Sequence, residues 1–389
     1  MDTAFLFLLI GIVLVAGFIA DYIFRKYGLP DVLILLSAGL LLNFFGIEVV
    51  TQQAIPVFSS LALMFIMFEV GTELKFYSLI KEIPRASMWA ISVFIFSVLV
   101  TIFFSVFIFN FGLNLGILLG AIIGGSSSVV VSPIVSKLNI SKDTRYLLTL
   151  ESTITDALCV VVAIISIEYL ILSSGSVINI FGLILSHFSI AIFLGLIAGL
   201  FWLNLLPKIE SYEYHYILTI GMVFFVYSLT EIFGGTGAIS SLVFGIVLGN
   251  AIPFGRIFYM KEVKQLTPTT STFHKLIVFI IRTFFFVVLG SIVAIVNYEI
   301  FLYGVLLTFA LFFVRFLTSR IYGSKSGGKS EKNLIAVMMP RGLAAAVLAP
   351  LPFIQYNIVE AALFPDIVFS VILTSCVISA VSLLILKIE

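Results

Sequence analysis

The feature that most constrains this chain is a series of apolar runs, each of roughly the length that crosses a bilayer. A transmembrane helix needs about 20 predominantly apolar residues. The chain has 389 residues, of which 61% are hydrophobic and 11% are charged, whereas soluble domains carry about 25% charged residues. Only a lipid environment accepts such a surface. The sequence therefore predicts an all-α polytopic membrane protein, a single transmembrane unit over residues 1–389 without a soluble regulatory domain.

Thirteen segments qualify as candidate spans, and several are shorter or longer than a straight membrane-crossing helix. The candidate spans are residues 4–24, 30–46, 56–74, 86–109, 113–137, 145–172, 177–206, 214–233, 236–251, 273–296, 299–321, 333–350 and 362–386. The first run follows Asp2 and lacks the basic residues that open a signal peptide, so we expect it to be a membrane span.

The basic residues are distributed asymmetrically around these spans. Of the 21 lysines and arginines, 19 lie at odd-numbered loops, and the remaining two, Arg282 and Arg341, belong to spans. Because loops rich in Lys and Arg face the cytoplasm, we expect the N-terminus outside the cell membrane and the C-terminus inside. This agreement favours thirteen spans over twelve, since losing one span would invert every later loop.

Two of the candidate spans are interrupted in corresponding positions. The fifth contains Gly-Gly-Ser-Ser-Ser at residues 124–128, and the twelfth contains Pro-Arg-Gly at residues 340–342. Spans seven apart have opposite orientations, and paired interruptions of this kind indicate an inverted-repeat transporter with two broken helices. A packing motif of small residues between helices is the alternative explanation for either break alone.

The sixth span carries two carboxylates, Glu151 and Asp156. An ionisable residue inside a membrane span is a functional-site hypothesis by default, because its charge is costly there. We expect Asp156 to bind either a proton or a small monovalent cation. The hydroxyl groups of Ser126, Ser127 and Ser128 would supply further oxygen ligands, which suit hard cations such as Na⁺, K⁺ or Li⁺.

Other charged residues in the spans have predicted roles as well. Glu151 is expected to form a structural ion pair with Arg341, because pairing removes most of the cost of burying either charge. The alternative for Glu151 is a carboxylate near a helix end that reaches the interface. Glu69 is a candidate to line the cation path. Arg282 is expected to extend to the cytoplasmic face, and Glu231 to lie at a helix end or in an external vestibule; both are candidate modulatory residues.

Several function classes lack their usual equipment in this sequence. It contains no P-loop, no HExxH motif and no Cys/His cluster, which argues against an ATP-driven pump, a metal-dependent enzyme and a cofactor. A cation channel would need symmetric filter loops, and an intramembrane hydrolase would need a second catalytic group beside Asp156. The net charge of +1 argues against a nucleic-acid partner. A secondary transporter, not an enzyme, fits the sequence best.

Five motifs give the chain a family resemblance over nearly its whole length. They are Phe68-Glu69-x-Gly71, Glu151-x-x-x-Thr155-Asp156-Ala157, the glycine-rich residues 235–250, Arg282-Thr283-Phe284-Phe285-Phe286 and Pro340-Arg341-Gly342-Leu343-Ala344. With these motifs the chain resembles the monovalent cation:proton antiporter superfamily, especially the archaeal and bacterial NhaP-like sodium/proton antiporters. In that family the aspartate equivalent to Asp156 carries the ion or the proton.

The resemblance implies an NhaA/NapA-like antiporter fold with inverted repeats and two crossed, broken helices. It also implies a homodimer whose interleaved dimerisation and core subdomains move past one another, and a structural ion pair between Glu151 and Arg341. Thr155 stands where the family usually has Asn or Asp, and the serines at 126–128 replace Thr-Asp-Pro. The resemblance makes sodium the expected substrate and lithium a further one, and these two departures keep potassium as the alternative. With Thr155 unable to ionise, we expect electroneutral one-for-one exchange.

Overall fold

The computed structural model describes residues 3–27, 30–47, 55–74, 76–172, 177–209, 215–260, 268–292, 298–322 and 329–386. Within these ranges the chain forms helices and no strands, which confirms the predicted all-α class. Some basic residues on which the orientation prediction rests fall outside the described residues. They are Lys75, Lys261, Lys264, Lys325 and Lys387.

The helices follow the apolar runs closely, and the two interrupted spans each form separate helices. In chain order they are α1 (Thr3–Tyr27), α2 (Asp31–Phe44), α3 (Ile55–Glu73), α4 (Phe76–Phe107), α5 (Leu113–Ile123), α6 (Ser128–Lys137), α7 (Lys142–Ile171), α8 (Val177–Ile209), α9 (His215–Ile232), α10 (Gly237–Gly249), α11 (Ala251–Ile257), α12 (Pro268–Ile292), α13 (Tyr298–Tyr322), α14 (Lys329–Val337), α15 (Leu343–Leu348), α16 (Leu351–Ile354) and α17 (Phe364–Leu386), with a 3-10 turn at Val359–Ala361 before α17.

The lengths of these helices suit a membrane. Among the described residues, eight segments are long and apolar enough to cross a bilayer, or nine if α10 and α11, which meet at 85°, form one bent span. Four shorter apolar helices accompany them. Each predicted span falls on one of these segments, so the protein is a multi-pass membrane protein. The number of thirteen crossings stays a prediction.

The chain divides into two compact units that alternate along the sequence. The first unit comprises Met1–Ser59, Pro84–Ile167 and Ile280–Glu389, and the second comprises Ser60–Ile83 and Glu168–Phe279. Helix α7 contributes most of its length to the first unit and its last residues to the second. The assignment of the two units to core and dimerisation subdomains stays a prediction.

In the first unit, α17 lies among several helices. It packs against α2, α5, α13, α14 and α15. Its apolar residues Phe364, Val368 and Ile372 are fully buried, and so are its serines Ser370 and Ser375. Through α5, α14 and α15, α17 packs against helices of both interrupted spans.

In the second unit, α10 packs against α8 and α9. The rings of Phe68 and Phe244 stack with centroids 5.6 Å apart, which joins α3 to α10. At the bend between α10 and α11, the side-chain amide of Asn250 donates to the carbonyl of Leu74 at 2.6 Å and to that of Ile246 at 2.8 Å. These hydrogen bonds satisfy carbonyl groups that the bend and the end of α3 leave open.

Candidate functional site

The first break lies between α5 and α6, over residues 124–127. Helix α7 compensates the backbone groups that the break frees, since the N–H of Ser126 donates to the hydroxyl of Thr155 at 3.2 Å. That hydroxyl in turn lies 3.4 Å from the carbonyl of Ser126. A side chain on Gly125 would collide with Thr155 and Cys159, so only glycine permits this close approach. Thr155 therefore supports the backbone of the break.

Asp156 follows Thr155 on α7, and its side chain contacts the start of α6. Its Oδ2 accepts hydrogen bonds from the backbone N–H of Ser128 at 2.8 Å and from the Ser128 hydroxyl at 2.6 Å. The side chain is buried, with 7% of the residue exposed. Because a helix N-terminus carries partial positive charge and free N–H groups, it stabilises an anionic carboxylate. The predicted site residues Asp156 and Ser128 are thus in direct contact.

The two breaks meet. The N–H of Ser127 donates to the carbonyl of Pro340, in the second break, at 2.8 Å. A side chain on Gly342 would collide with that of Ser127, so glycine is needed where the chains cross. The prediction of two broken helices that cross is therefore confirmed, and the contact joins the Asp156 region to the segment between α14 and α15.

Glu151 is held by donors on both of its oxygens. Arg315 approaches the carboxylate with both terminal nitrogens, one pairing with Oε1 and the other with Oε2 at 2.7 Å. Trp89 donates its indole N–H to Oε2 at 3.0 Å, and Ser126 donates its hydroxyl to Oε1 at 3.0 Å. Glu151, Arg315 and Trp89 are almost completely buried. Bidentate pairing of this kind gives the strongest hydrogen bonds available to a carboxylate.

The predicted ion pair between Glu151 and Arg341 is therefore wrong, and Arg315 is the partner. In the sequence Arg315 lies near Arg320 and the basic loop after the eleventh predicted span. In the structure its side chain extends from α13 into the interior. Its Nε donates to the carbonyl of Ile335 at 2.9 Å, which turns the other two nitrogens toward Glu151. Arg315 is therefore a buried arginine of a span, as Arg341 is.

Arg341 occupies the second break and is 1% exposed. Its Nε and Nη1 have no hydrogen-bond partner among the residues that the structure describes. Its backbone takes part in the crossing, because the adjacent Pro340 accepts from Ser127. Arg341 therefore adds a buried positive charge to the unit that contains Asp156.

Arg282 forms a partly buried ion pair in the first unit. Its guanidinium forms an ion pair with Asp31 of α2 at 2.6 Å, and the two side chains are only 12% and 3% exposed. Asp31 begins α2 directly after Pro30, where an acidic residue favours a helix N-terminus. Arg282 thus joins α12 to α2 within the first unit, and its predicted extension to the cytoplasmic face stays a prediction.

The remaining predicted residues, Glu69 and Glu231, lie in the second unit. Glu69 is half-buried on α3, and its role in a cation path stays a prediction. Glu231 lies in the last turn of α9 and accepts the N–H of Gly237, the first residue of α10, at 2.7 Å. It is thus a helix-end residue, as one of its two predicted roles stated. Sequence reasoning missed a nearby contact, in which Nδ1 of His187 lies 3.3 Å from Oε2 of Glu168.

The comparisons with known proteins agree with this fold. The family described as sodium/hydrogen exchanger, transmembrane, matches residues 10–386. A protein named "Probable Na(+)/H(+) antiporter 2", from Methanocaldococcus jannaschii, is 26% identical over 383 residues, which cover 89% of this chain and 84% of that protein.

Solved structures of the sodium proton antiporter MjNhaP1 from the same organism share the fold. The structure at pH 8 superposes with a TM-score of 0.78 at 22% identity, covering 100% of this chain and 99% of that one. An electron-microscopy structure gives 0.72 at 20% identity, covering 99% of this chain and 96% of that one. With the family matching nearly the whole chain, the protein belongs to the sodium/hydrogen exchanger family.

Proposed function

We propose that this protein is a secondary active transporter that exchanges sodium for protons, with lithium as a further substrate. The observation that carries the proposal is the buried Asp156 carboxylate, which Ser128 holds at the N-terminus of α6. Membership of the exchanger family and the names of the related antiporters from Methanocaldococcus jannaschii support it.

Asp156 is the shared site in this proposal. A carboxylate that carries a proton or one monovalent cation is neutral, whereas the empty carboxylate is charged and costly to move through a membrane. Alternating access is therefore favourable only when the site is occupied, which couples the two ions. Hydroxyl oxygens of Ser126, Ser127 and Ser128 lie on the break beside Asp156 and supply ligands of the type that alkali cations prefer.

We further propose that the exchange is electroneutral, with one cation for one proton. Thr155 cannot ionise, and its hydroxyl supports the backbone of Ser126. The buried Arg315 and Arg341 keep their charge at any working pH, and the buried charged residues that the structure describes include no lysine. Asp156 is then the one group of this site that exchanges its proton, because Glu151 stays in its ion pair.

The stoichiometry can be tested with an imposed voltage. Proteoliposomes receive a potassium diffusion potential through valinomycin, and sodium-driven proton movement is followed with a pH dye. We expect rate and end point to be independent of the voltage. A rate or end point that follows the voltage would show that a second charge moves, and Glu69 would be the first residue to replace.

Transport itself is tested in proteoliposomes with an imposed pH gradient and with Na⁺, Li⁺ and K⁺ added in turn. We expect Na⁺ and Li⁺ to dissipate the gradient and Asp156→Asn to abolish the effect. Asp143→Asn is the matched control, because it removes the same charge from an exposed position on the same helix. Dissipation by K⁺ but not by Na⁺ would assign the protein to potassium/proton exchange, and unaltered exchange by Asp156→Asn would refute the site.

We also propose a homodimer in the cell membrane, with the N-terminus outside. Light scattering of the purified protein with the detergent contribution subtracted would give the oligomeric state, and a monomer mass would exclude the dimer. Labelling of single cysteines placed in exposed loops with an impermeant reagent would test the orientation.

A further inference from the structure

The second break leaves backbone groups outside regular helical hydrogen bonding, and side chains of α17 form hydrogen bonds with them. The break separates α14, which ends at Val337, from α15, which begins at Leu343. The hydroxyl of Ser379 donates to the carbonyl of Val337 at 2.9 Å. The hydroxyl oxygen of Ser375 accepts the N–H of Arg341 at 3.0 Å. The carbonyl of Val337 also accepts the N–H of Met339 at 2.9 Å, so the Ser379 hydroxyl is its second donor. The Ser375 hydroxyl accepts the N–H that the break frees at Arg341.

The two serines act from one face of α17. Residues four apart lie one above the other on a helix, and Ser375 and Ser379 have this spacing. Cys376, between them, places its thiol 3.6 Å from the carbonyl of Arg341. All three side chains are fully buried. The Ser375 hydroxyl proton is given to the carbonyl of Ile372 at 3.0 Å, so its oxygen is oriented as an acceptor toward Arg341.

A short series of contacts connects these serines with Asp156. Arg341 is bound by Ser375, and its neighbour Pro340 accepts the N–H of Ser127. The next residue, Ser128, donates its N–H and its hydroxyl to Asp156. Each step is either one hydrogen bond or one peptide unit, so a displacement of the second break acts directly on the residue that orients the Asp156 carboxylate.

We infer that Ser375 and Ser379 are positioning residues of the ion site, which fix the second break and, through Pro340 and Ser127, the orientation of Ser128 toward Asp156. The inference rests on the proposed cation/proton exchange at Asp156. Neither serine touches the ion in this account. Their loss should change how well the site binds the cation more than it changes the overall fold.

Ser370 provides a matched control on the same helix. It is also fully buried, and its hydroxyl donates to the carbonyl of Phe301 on α13 at 3.1 Å, away from either break. Replacement by alanine removes one buried hydrogen bond to a backbone carbonyl in both Ser370→Ala and Ser379→Ala. A purely structural role for Ser379 therefore predicts the same result for both variants.

The experiment measures thermal stability and the apparent KM for sodium in proteoliposomes for Ser370→Ala, Ser375→Ala and Ser379→Ala. We expect similar losses of stability in all three. Only Ser375→Ala and Ser379→Ala should raise the KM, by about threefold to tenfold if one hydrogen bond of ordinary net strength is lost at the break. Ser379→Cys, of nearly the same shape but a weaker donor, should give an intermediate KM.

Two results would overturn the inference. One is an unaltered KM in Ser375→Ala and Ser379→Ala while the wild type exchanges sodium normally. The other is an equal rise in all three variants, which would show a general loss of packing. If Ser375→Ala does not fold, Ser379→Ala and Ser379→Cys decide by themselves. Absence of exchange in the wild type would instead refute the proposed function, and it would be seen equally in Ser370→Ala.

Discussion

Glu151 and Asp156 are carboxylates on the same helix, five residues apart, in very different surroundings. Glu151 is fully buried and receives hydrogen bonds from Arg315, Trp89 and Ser126 on both oxygens. Asp156 is slightly exposed, and its Oδ2 is held by the N–H and the hydroxyl of Ser128 at the start of α6.

In the proposed function, this difference separates a carboxylate that stabilises the fold from a carboxylate that binds the transported ion. A carboxylate compensated by a bidentate guanidinium has little reason to bind a further cation, because its charge is already neutralised and its oxygens are occupied. At Asp156 the hydroxyl and the backbone N–H of Ser128 orient the carboxylate without neutralising its charge. Under the proposed function, the surroundings and not the residue type therefore distinguish the two carboxylates of this helix.

The largest expected loss of stability comes from breaking the Glu151 cluster. Removing one partner of a buried ion pair costs about 3–5 kcal/mol, because it leaves an uncompensated charge. Glu151→Ala and Arg315→Ala should each lower the free energy of unfolding by this order, and the double variant should lose less than the sum. The measurement is a double-mutant cycle from thermal or denaturant unfolding of the purified protein.

Arg320→Ala is the control for that cycle. Arg320 lies on the same helix, but its hydrogen bond to Asn333 is exposed, and exposed substitutions usually change stability by less than about 0.5 kcal/mol. Strict additivity of Glu151→Ala and Arg315→Ala would contradict the contact between them.

A smaller loss of stability is expected when the indole N–H of Trp89 is removed. Phenylalanine in its place keeps an aromatic ring below the Arg315 guanidinium, which lies 5.6 Å from the ring centroid, but it removes the hydrogen bond to Glu151. A hydrogen bond to a charged group contributes about 1.5–3 kcal/mol, so Trp89→Phe should destabilise less than Arg315→Ala. Equal destabilisation by the two variants would contradict the expectation that the ion pair contributes more than the indole hydrogen bond.

The smallest expected loss of stability comes from replacing Glu331. This carboxylate of the first unit lies just before the twelfth predicted span. Partial burial raises the pKa of Glu331, but hydrogen bonds from Ser141 and Thr144 outweigh it, and the net pKa lies below the usual value of 4.5. A lowered pKa in the folded state contributes stability above the unfolded pKa, and that contribution is lost as the pH falls through the folded value.

Glu331→Gln should therefore lower the melting temperature slightly near neutral pH, and the difference from the wild type should shrink below about pH 4.5. Melting curves over that pH range measure it. A difference that grows in acid would contradict the assigned hydrogen bonds.

Much of the fold was accessible from the sequence, because apolar run length and small residues in a break are strong signals. These signals predict the two interrupted spans, whereas their crossing is implied only by the family resemblance; the structure confirms both. The partner of Glu151 was not predicted correctly, because Arg315 lies close to a basic loop in sequence and the positive-inside rule cannot tell a loop arginine from one on the last turns of a span.

Other residues gave no signal that a sequence reading could use. Trp89 is an aromatic residue within an apolar run, and nothing local shows that its N–H faces Glu151. Ser375 and Ser379 resemble ordinary small residues of a membrane helix, and only the fold shows that the second break lies beside them. Asp31 reads as a helix-start residue, and its ion pair with Arg282 depends on how α2 and α12 pack.

The central claim, that one carboxylate binds either sodium or a proton, is tested most directly by proton release on sodium binding. Purified protein in weakly buffered solution is titrated with sodium while a pH dye records the protons released. If binding is competitive at Asp156, the wild type and Asp143→Asn release protons, up to about one per chain, and Asp156→Asn releases none. Equal release from the wild type and Asp156→Asn would contradict the account.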